Sequence, residues 1–475
     1  MQHQTQPEIK KAVLIGVQLP KISDSELHSS LDELTRLVTT LGYKVVGRLT
    51  QKRTSDKSNT VLGEGKLKAL GKWTGGTGKI AALFVRKKSK AALKWDEEGE
   101  DSLEDEVIAS AEVETEEDTA SDSTSEITEQ ADVVIVDTDL SPSQLRNLES
   151  ASGVPVLDRT GVIIEIFSRH ARTKAARLQV EIARLAYVAP RLRESTQGEQ
   201  QGGGGKGAGE TSLELDKRKI RDRIKELKNE LESIGNEHDV RRARRGQELS
   251  VALVGYTNAG KSSLMRALTG SDILIADKLF ATLDTTIRPM YPESKPKVLI
   301  SDTVGFIKKL PHDLVASFKS TLDEALHASL LLYVVDSSDS SFRSQLQVTQ
   351  TVLAEVGATE VPHLLVLNKR DNLSAEEEAS LIKEFPEAFM LSTHNSDDIE
   401  KLRAKILSYF ESDMVDADFF IPYTAQQGII GDVRDKARVL SEAHNDLGTT
   451  LHIRVKQEVL ASFQERLKKL TQRRL

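Results

Sequence analysis

The chain has 475 residues and no cysteine, which excludes disulfides and cysteine-ligated zinc. No apolar run reaches the length of a membrane span, and the opening MQHQTQPEIKK lacks the apolar core of a signal peptide. No lipidation motif or anchor is visible. The expectation is a soluble, cytoplasmic protein. Positive charge is missing from one long stretch: Asp96 to Glu129 holds sixteen Asp and Glu and no Lys or Arg. This tract is rich in Ser and Thr and poor in aromatics. It cannot bury enough surface to offset its ordering entropy, so it reads as a disordered insert. Removing its sixteen charges from the net −8 leaves +8 on the other residues. That surplus suits a nucleic-acid partner without demanding one.

The length exceeds what one core supports, and three or four domains are expected. Residues 1–160 read as a small α/β unit around the acidic insert. AVLIGVQL, KVVGRL and ADVVIVD are strands. Leu27, Leu31, Leu34, Leu37 and Leu41 repeat at helical spacing, and GEGKLKALGKW opens a second helix. SPSQLRNLESASG is a helix capped by Ser141, with Pro142 at its first position and Gly153 past its end. KIAALFV stays open between a strand and the start of the insert.

Residues 161–248 read as a helical hairpin. Leu178, Ile182, Leu185, Ala189 and Leu192 step by 4, 3, 4, 3, and Ile220, Ile224, Leu227, Leu231 and Ile234 take the same steps. Two stripes of equal length predict antiparallel helices that bury against each other. The tip, 195–211, contains GGGGKGAGE, whose glycines forbid regular structure. Basic residues lie near both ends, Arg184, Arg191, Arg193 and Lys206 at the tip. The object resembles a probe for a narrow polar space.

Residues 249–412 carry the chemistry. LSVALVG leads into Gly255-Tyr256-Thr257-Asn258-Ala259-Gly260-Lys261-Ser262, followed by an amphipathic helix. The glycines let backbone N–H groups curl around a β-phosphate, and the helix start adds its positive end. Lys261 supplies charge to the β/γ oxygens, and Ser262 offers a hydroxyl to Mg²⁺. KVLISD ends in Asp302, placed to organise the metal and its waters. Thr303, Val304 and Gly305 follow, and the Gly305 N–H can face a γ-phosphate. HLLVLN runs into Asn368-Lys369-Arg370-Asp371. A carboxylate at Asp371 pairs with guanine N1–H and the 2-amino group, which adenine lacks. A buried Asp371 would therefore disfavour adenine. Asn368 would fix N7, and the Lys369 stem would pack on the base. Ser392 and Thr393 are expected to close the base pocket. In FATLDTTIRP, Thr282, Thr285 and Thr286 compete as the threonine that senses γ-phosphate. Phe306 stands where a Ras-type hydrolase has its water-orienting glutamine, and an apolar side chain does not orient water.

GYTNAGKS, LFATLDTTIR, DTVGFIKKLPHDLVASFKSTLDEA and LNKRD, preceded by DRTGVIIEIFSRHARTKAARLQVEIARL and GAGETSLELDKRKI, resemble the HflX family of ribosome-associated P-loop GTPases. The resemblance runs from about residue 10 to the C-terminus, interrupted around 75–131. It implies a Ras-like P-loop G domain, an N-terminal α/β domain, a long antiparallel helical hairpin and a small C-terminal α/β domain at 413–475. FFIPYTAQQGIIGDV and TTLHIRVKQEV would supply two strands of the last. It also implies a GTPase, slow alone and stimulated by the ribosome, that splits stalled or stressed ribosomes. The implied partners are the large subunit and its rRNA; a monomer with no stable membrane insertion is the expectation from the sequence itself. Lys261, Thr282 and Gly305 would act in hydrolysis, with Ser262 and Thr282 on Mg²⁺. Phe280, Ala281, Leu283 and Asp284 would border the GTP with the P-loop, Asp302–Gly305, 368–371 and 392–393. This chain departs from the family pattern at Thr285, at 206–211 and at Thr393. The alternatives are an RNA-binding protein with GTP as an occupancy signal and an NTPase that remodels RNA structure.

Overall fold

The computed structural model describes residues 9–55, 58, 60–80, 129–192, 212–245, 249–271, 279–280, 285–309, 324–424 and 426–472. The chain divides into two compact units, Met1–Val162 and Ile163–Leu475. The acidic tract below Glu129, KIAALFV beyond Ile80, the glycine tip and Ala281–Asp284 lie outside the described residues.

The first unit holds a parallel sheet in the order β2-β1-β3-β4, from β1 (Lys11–Gln18), β2 (Lys44–Lys52), β3 (Val133–Val136) and β4 (Val156–Asp158). All of β3 is buried, as strands covered on both faces require. Helix α1 (Asp24–Thr40) starts at a capping box between Ser23 and Glu26 and buries Leu27, Leu31, Leu34 and Leu37. Helix α2 is Glu64–Thr74. Helix α3 (Pro142–Ser152) is capped by Ser141 and Gln144 and ends at Gly153, whose φ of 70° favours glycine. Beyond β4, helix α4 covers Arg159–His170.

In the second unit, α5 (Lys174–Val188) packs on α6 (Ser212–Arg245). Leu178, Ile182 and Leu227 are buried there, with Leu185, Ile224, Leu231 and Ile234 packed around them. The two stripes are not of equal length. Pro190 has no N–H to extend α5, so Ala189–Arg191 forms a 3₁₀ turn and Leu192 leaves it extended. The Arg191 guanidinium lies 3.6 Å from the Tyr187 ring centroid and donates to Tyr187 O at 2.7 Å, closing the turn.

The nucleotide-type domain is a six-stranded sheet, order β10-β9-β8-β5-β7-β6. Its strands are β5 (Leu249–Gly255), β6 (Thr286–Pro289), β7 (Val298–Asp302), β8 (Leu330–Asp336), β9 (His363–Asn368) and β10 (Phe389–Met390), and only β6 runs antiparallel. Val251, Leu253, Leu332 and Val334 pack against Leu264 and Leu268 of α7 (Lys261–Thr269). Leu402 and Ile406 of α10 (Ser396–Ser412) complete that core, after α8 (Phe342–Val356) and α9 (Ala375–Glu384). Each fully buried leucine contributes about 1.5–3 kcal/mol. The C-terminal ends of β5, β7, β8 and β9 gather on one edge, where open α/β sheets bind ligands.

A third sheet, order β11-β13-β12, is antiparallel: β11 (Met414–Pro422), β12 (Arg438–His444) and β13 (Gly448–Lys456). Helices α11 (Gln426–Lys436) and α12 (Gln457–Gln472) cover it, with Phe463 among its buried residues. It has a third strand beyond the two expected. Strand β12 is an edge strand with only Val439 half-buried, so it carries no alternation to read. Among the described residues, no helix is long and apolar enough to cross a membrane.

Candidate functional site

The phosphate loop joins β5 to α7, and two of its glycines have steric reasons. Gly255 has φ 151°, and a Cβ there would meet Val334 O at 2.1 Å. Gly260 has φ 93°, and its Cβ would lie 2.2 Å from Asn368 Nδ2. The second contact ties the loop to the base-reading strand: Asn368 Nδ2 donates to Ala259 O at 2.9 Å. Asn368 Oδ1 is buried with no hydrogen-bond partner among the described residues, as is Thr257 Oγ1. An unpaired buried acceptor carries a desolvation cost, and guanine N7, itself an acceptor, would take the second Nδ2 hydrogen rather than Oδ1. Asn258 is exposed with φ 62°.

Lys261 is 6% exposed and folds back on the loop, donating to Gly255 O at 3.1 Å and Tyr256 O at 2.8 Å. Burial outweighs the opposing charge of Asp302 and brings its ammonium down to about 8. Ser262 Oγ donates to Asp302 Oδ2 at 2.7 Å. A hydroxyl and a carboxylate are hard oxygen donors. Their small number suits Mg²⁺, which keeps several waters, so the pair fits the ion.

After Asp302 the chain docks on the phosphate loop. Thr303 is fully buried, and its hydroxyl donates to Leu253 O at 2.7 Å, so it anchors the strand end rather than facing a ligand. Val304 is buried. At Gly305 a Cβ would lie 2.8 Å from Thr257 Cγ2 and 3.0 Å from Lys261 Nζ. Phe306 is 1% exposed and pairs by backbone with Tyr256: its N–H donates to Gly255 O at 3.1 Å, and Thr257 N–H donates to its carbonyl at 2.8 Å.

The expected switch threonines divide. Thr282 lies outside the described residues, with Ala281, Leu283 and Asp284. Thr285 is half-buried, and Thr286 opens β6 opposite Asp302. Phe280 is buried with φ 58°, and its ring meets Phe167 of α4 edge-on at 4.6 Å. That ring packs away in an aromatic contact.

At the base end, Lys369 has φ 63° and its Nζ lies 2.7 Å from Asp336 Oδ2. Asp371 is exposed, not buried. The adjacent Ser392 hydroxyl holds its carboxyl below the usual carboxylate range, so it is ionised and acceptor-only at neutral pH. Discrimination against adenine therefore cannot come from burial of this carboxylate in the protein alone. Ser392 is buried and its N–H donates to Asp398 Oδ2 at 2.9 Å; Thr393 is half-buried. Arg370 reaches Asp398 and Glu378 at 3.4 Å each, so its side chain braces this loop. Asp336 and Asp398 escaped the sequence reading. The signal for Asp336 is its place at the end of the apolar run LLLYVVD; Asp398 has none, because it sits in the first turn of a helix and its partners Ser392 and Arg370 lie outside that helix.

The sheet and its phosphate loop define the class: an α/β P-loop GTPase. A family model described as "50S ribosome-binding GTPase" matches residues 250–369. Models for "GTP-binding GTPase N-terminal" and "GTP-binding GTPase Middle Region" match 28–87 with 113–168, and 170–245. The chain is 53% identical over 455 residues to a GTPase HflX of Gluconacetobacter diazotrophicus, covering 95% of this chain and 96% of that one. It is 35% identical to that of Caldanaerobacter subterraneus subsp. tengcongensis, covering 97% of this chain and 93% of the relative. A crystal structure of a GTP-binding protein from Sulfolobus solfataricus in complex with GDP is similar at 23% identity and a TM-score of 0.41, covering 84% of this chain and 98% of that one. The chain belongs to the HflX family of GTPases.

Proposed function

We propose that this chain binds the ribosome, mainly its large subunit and rRNA, and uses GTP-dependent binding to split or recycle stalled or stressed ribosomes. The observation that carries the reading is the match of residues 250–369 to the ribosome-binding GTPase model, in a chain that belongs to the HflX family throughout. The domain limits at 160, 248 and 412 belong to the same reading, with the hairpin tip directed at rRNA. So do a monomeric state and a cytoplasmic location.

In this reading Lys261 turns from Gly255 O and Tyr256 O to the β/γ oxygens. Ser262 and Thr282 would hold Mg²⁺, with Asp302 organising the ion and its waters, and the ion would supply positive charge beside those oxygens. Asn368 and Asp371 take the guanine edge, and Asp336 steadies the Lys369 stem beside it. Gly305 N–H senses the γ-phosphate. Phe306 has no group that orients water, so intrinsic hydrolysis is slow. Ordering comes from the ribosome or from another group in the chain.

Sucrose-gradient sedimentation of ribosomes with the protein and GTP, a non-hydrolysable analogue or GDP tests this. Triphosphate forms should shift ribosomes toward free subunits and co-sediment with the large one. No shift and no co-sedimentation would reject the proposal. Large subunits should also raise GTP turnover, which a GTP-occupied RNA-binding module would not show.

A further inference from the structure

Tyr256 stands second in the phosphate loop, where sequence alone assigns it to the nucleotide. Its side chain points elsewhere in its bonding. It is 5% exposed, and its hydroxyl accepts the Lys308 N–H at 2.6 Å. We propose that Tyr256 is a positioning residue: its hydroxyl latches the segment after Asp302 to the phosphate loop and sets how readily that segment moves when a γ-phosphate arrives. The inference rests on the GTPase activity of the family.

Beyond Thr303, whose hydroxyl is tied to Leu253 O, three hydrogen bonds among the described residues join the segment to the phosphate loop. Two are main-chain, Phe306 N–H to Gly255 O at 3.1 Å and Thr257 N–H to Phe306 O at 2.8 Å. Neither uses a side chain, although Gly255 itself admits no Cβ. The third depends on one side chain, and only a phenol of this length supplies it. The same two loop residues also receive Lys261: Gly255 O takes both Lys261 Nζ and the Phe306 N–H, and Tyr256 O takes Nζ at 2.8 Å. The group that would grip phosphate and the segment that would sense it thus share one acceptor, Gly255 O. Gly305 sits between them with no slack, since even a Cβ would meet Lys261 Nζ at 3.0 Å. Movement at Gly305 therefore carries Phe306 and Lys308 with it, and the Tyr256 hydroxyl adds to the resistance. Losing one such neutral hydrogen bond raises the released population about three- to tenfold.

The test uses the full chain with Tyr256→Phe. Limited trypsin cleavage after Lys309 is timed with GDP and with a non-hydrolysable GTP analogue. GDP affinity is measured in the same samples with a fluorescent nucleotide, which separates failure of the latch from failure of nucleotide binding. In the GDP form the variant should be cleaved about three- to tenfold faster, with a narrower gap between the two nucleotides. The change in cleavage should exceed any change in affinity. Lys308→Pro removes the donor together with one cleavage site; with cleavage read after Lys309 alone in every variant, it should reproduce the effect, and the double variant should add nothing further. Unchanged cleavage, an affinity loss as large as the cleavage change, or full additivity of the two substitutions would overturn the proposal.

Discussion

Lys261 links nucleotide binding to protons, and the size of the link follows from its burial. The ordinary lysine value of 10.5 is brought down to about 8, because burial outweighs the attraction of Asp302. A polyphosphate beside the ammonium favours the charged form and returns it toward its ordinary value. At pH 8 about half of the free protein is protonated at Lys261 and nearly all of the complex is, so binding takes up about 0.5 proton; at pH 7 the uptake is about 0.1. Titration calorimetry with GDP at both pH values, in two buffers of different ionisation enthalpy, measures these numbers. Stability follows the same sign. The unfolded lysine holds its proton up to about pH 10.5 and the folded one only to about 8, so the unfolded state binds more protons in that window. The nucleotide-free protein should therefore gain stability as pH rises from about 8 to 10.5, by at most about 1.4 kcal/mol per unit. Lys261→Met should abolish the rise. Equal proton uptake at pH 7 and pH 8 would refute the reasoning.

Other substitutions probe separate parts of the molecule. Gly260→Ala forces a Cβ against Asn368 Nδ2 at a φ of 93° and should cost most GDP binding while the fold persists, as read by fluorescent-nucleotide titration beside circular dichroism. Asp371→Asn removes a carboxylate acceptor and should weaken GDP by on the order of 10²–10⁴-fold, with xanthine nucleotides, whose C2 carbonyl accepts from an amide, losing least. In the N-terminal domain, Arg159 is 1% exposed and pairs with Asp137 at 2.7 Å and Glu33 at 3.0 Å. Arg159→Met leaves those two buried carboxylates without their cation and should destabilise the domain by about 3–5 kcal/mol in a denaturant melt. A change under 1 kcal/mol would show that water reaches the cluster.

The local signals were legible because they act over a few residues. The Ser141-Pro142…Gly153 helix, the buried strand ending at Asp302 and the loop from Gly255 to Ser262 each declare themselves through caps, periodicity or glycine spacing. Family resemblance extended that reading to the GTPase class. Strand β12 stayed hidden because an exposed edge strand needs no apolar face, and the hairpin stripes ran past Pro190 because periodicity does not register a missing donor. Tertiary structure alone decided who faces whom. Thr303 turns into the core, Phe280 packs on Phe167, and Asp336 pairs with Lys369 across two strands. It also decided that Tyr256 reaches Lys308, 52 residues away, and that Gly260 must lack a Cβ to admit Asn368. Sequence order determines which groups exist and which local shapes they prefer. Packing of β5 between β7 and β8 determines which of them meet, because only the closed sheet brings those strand ends to one edge.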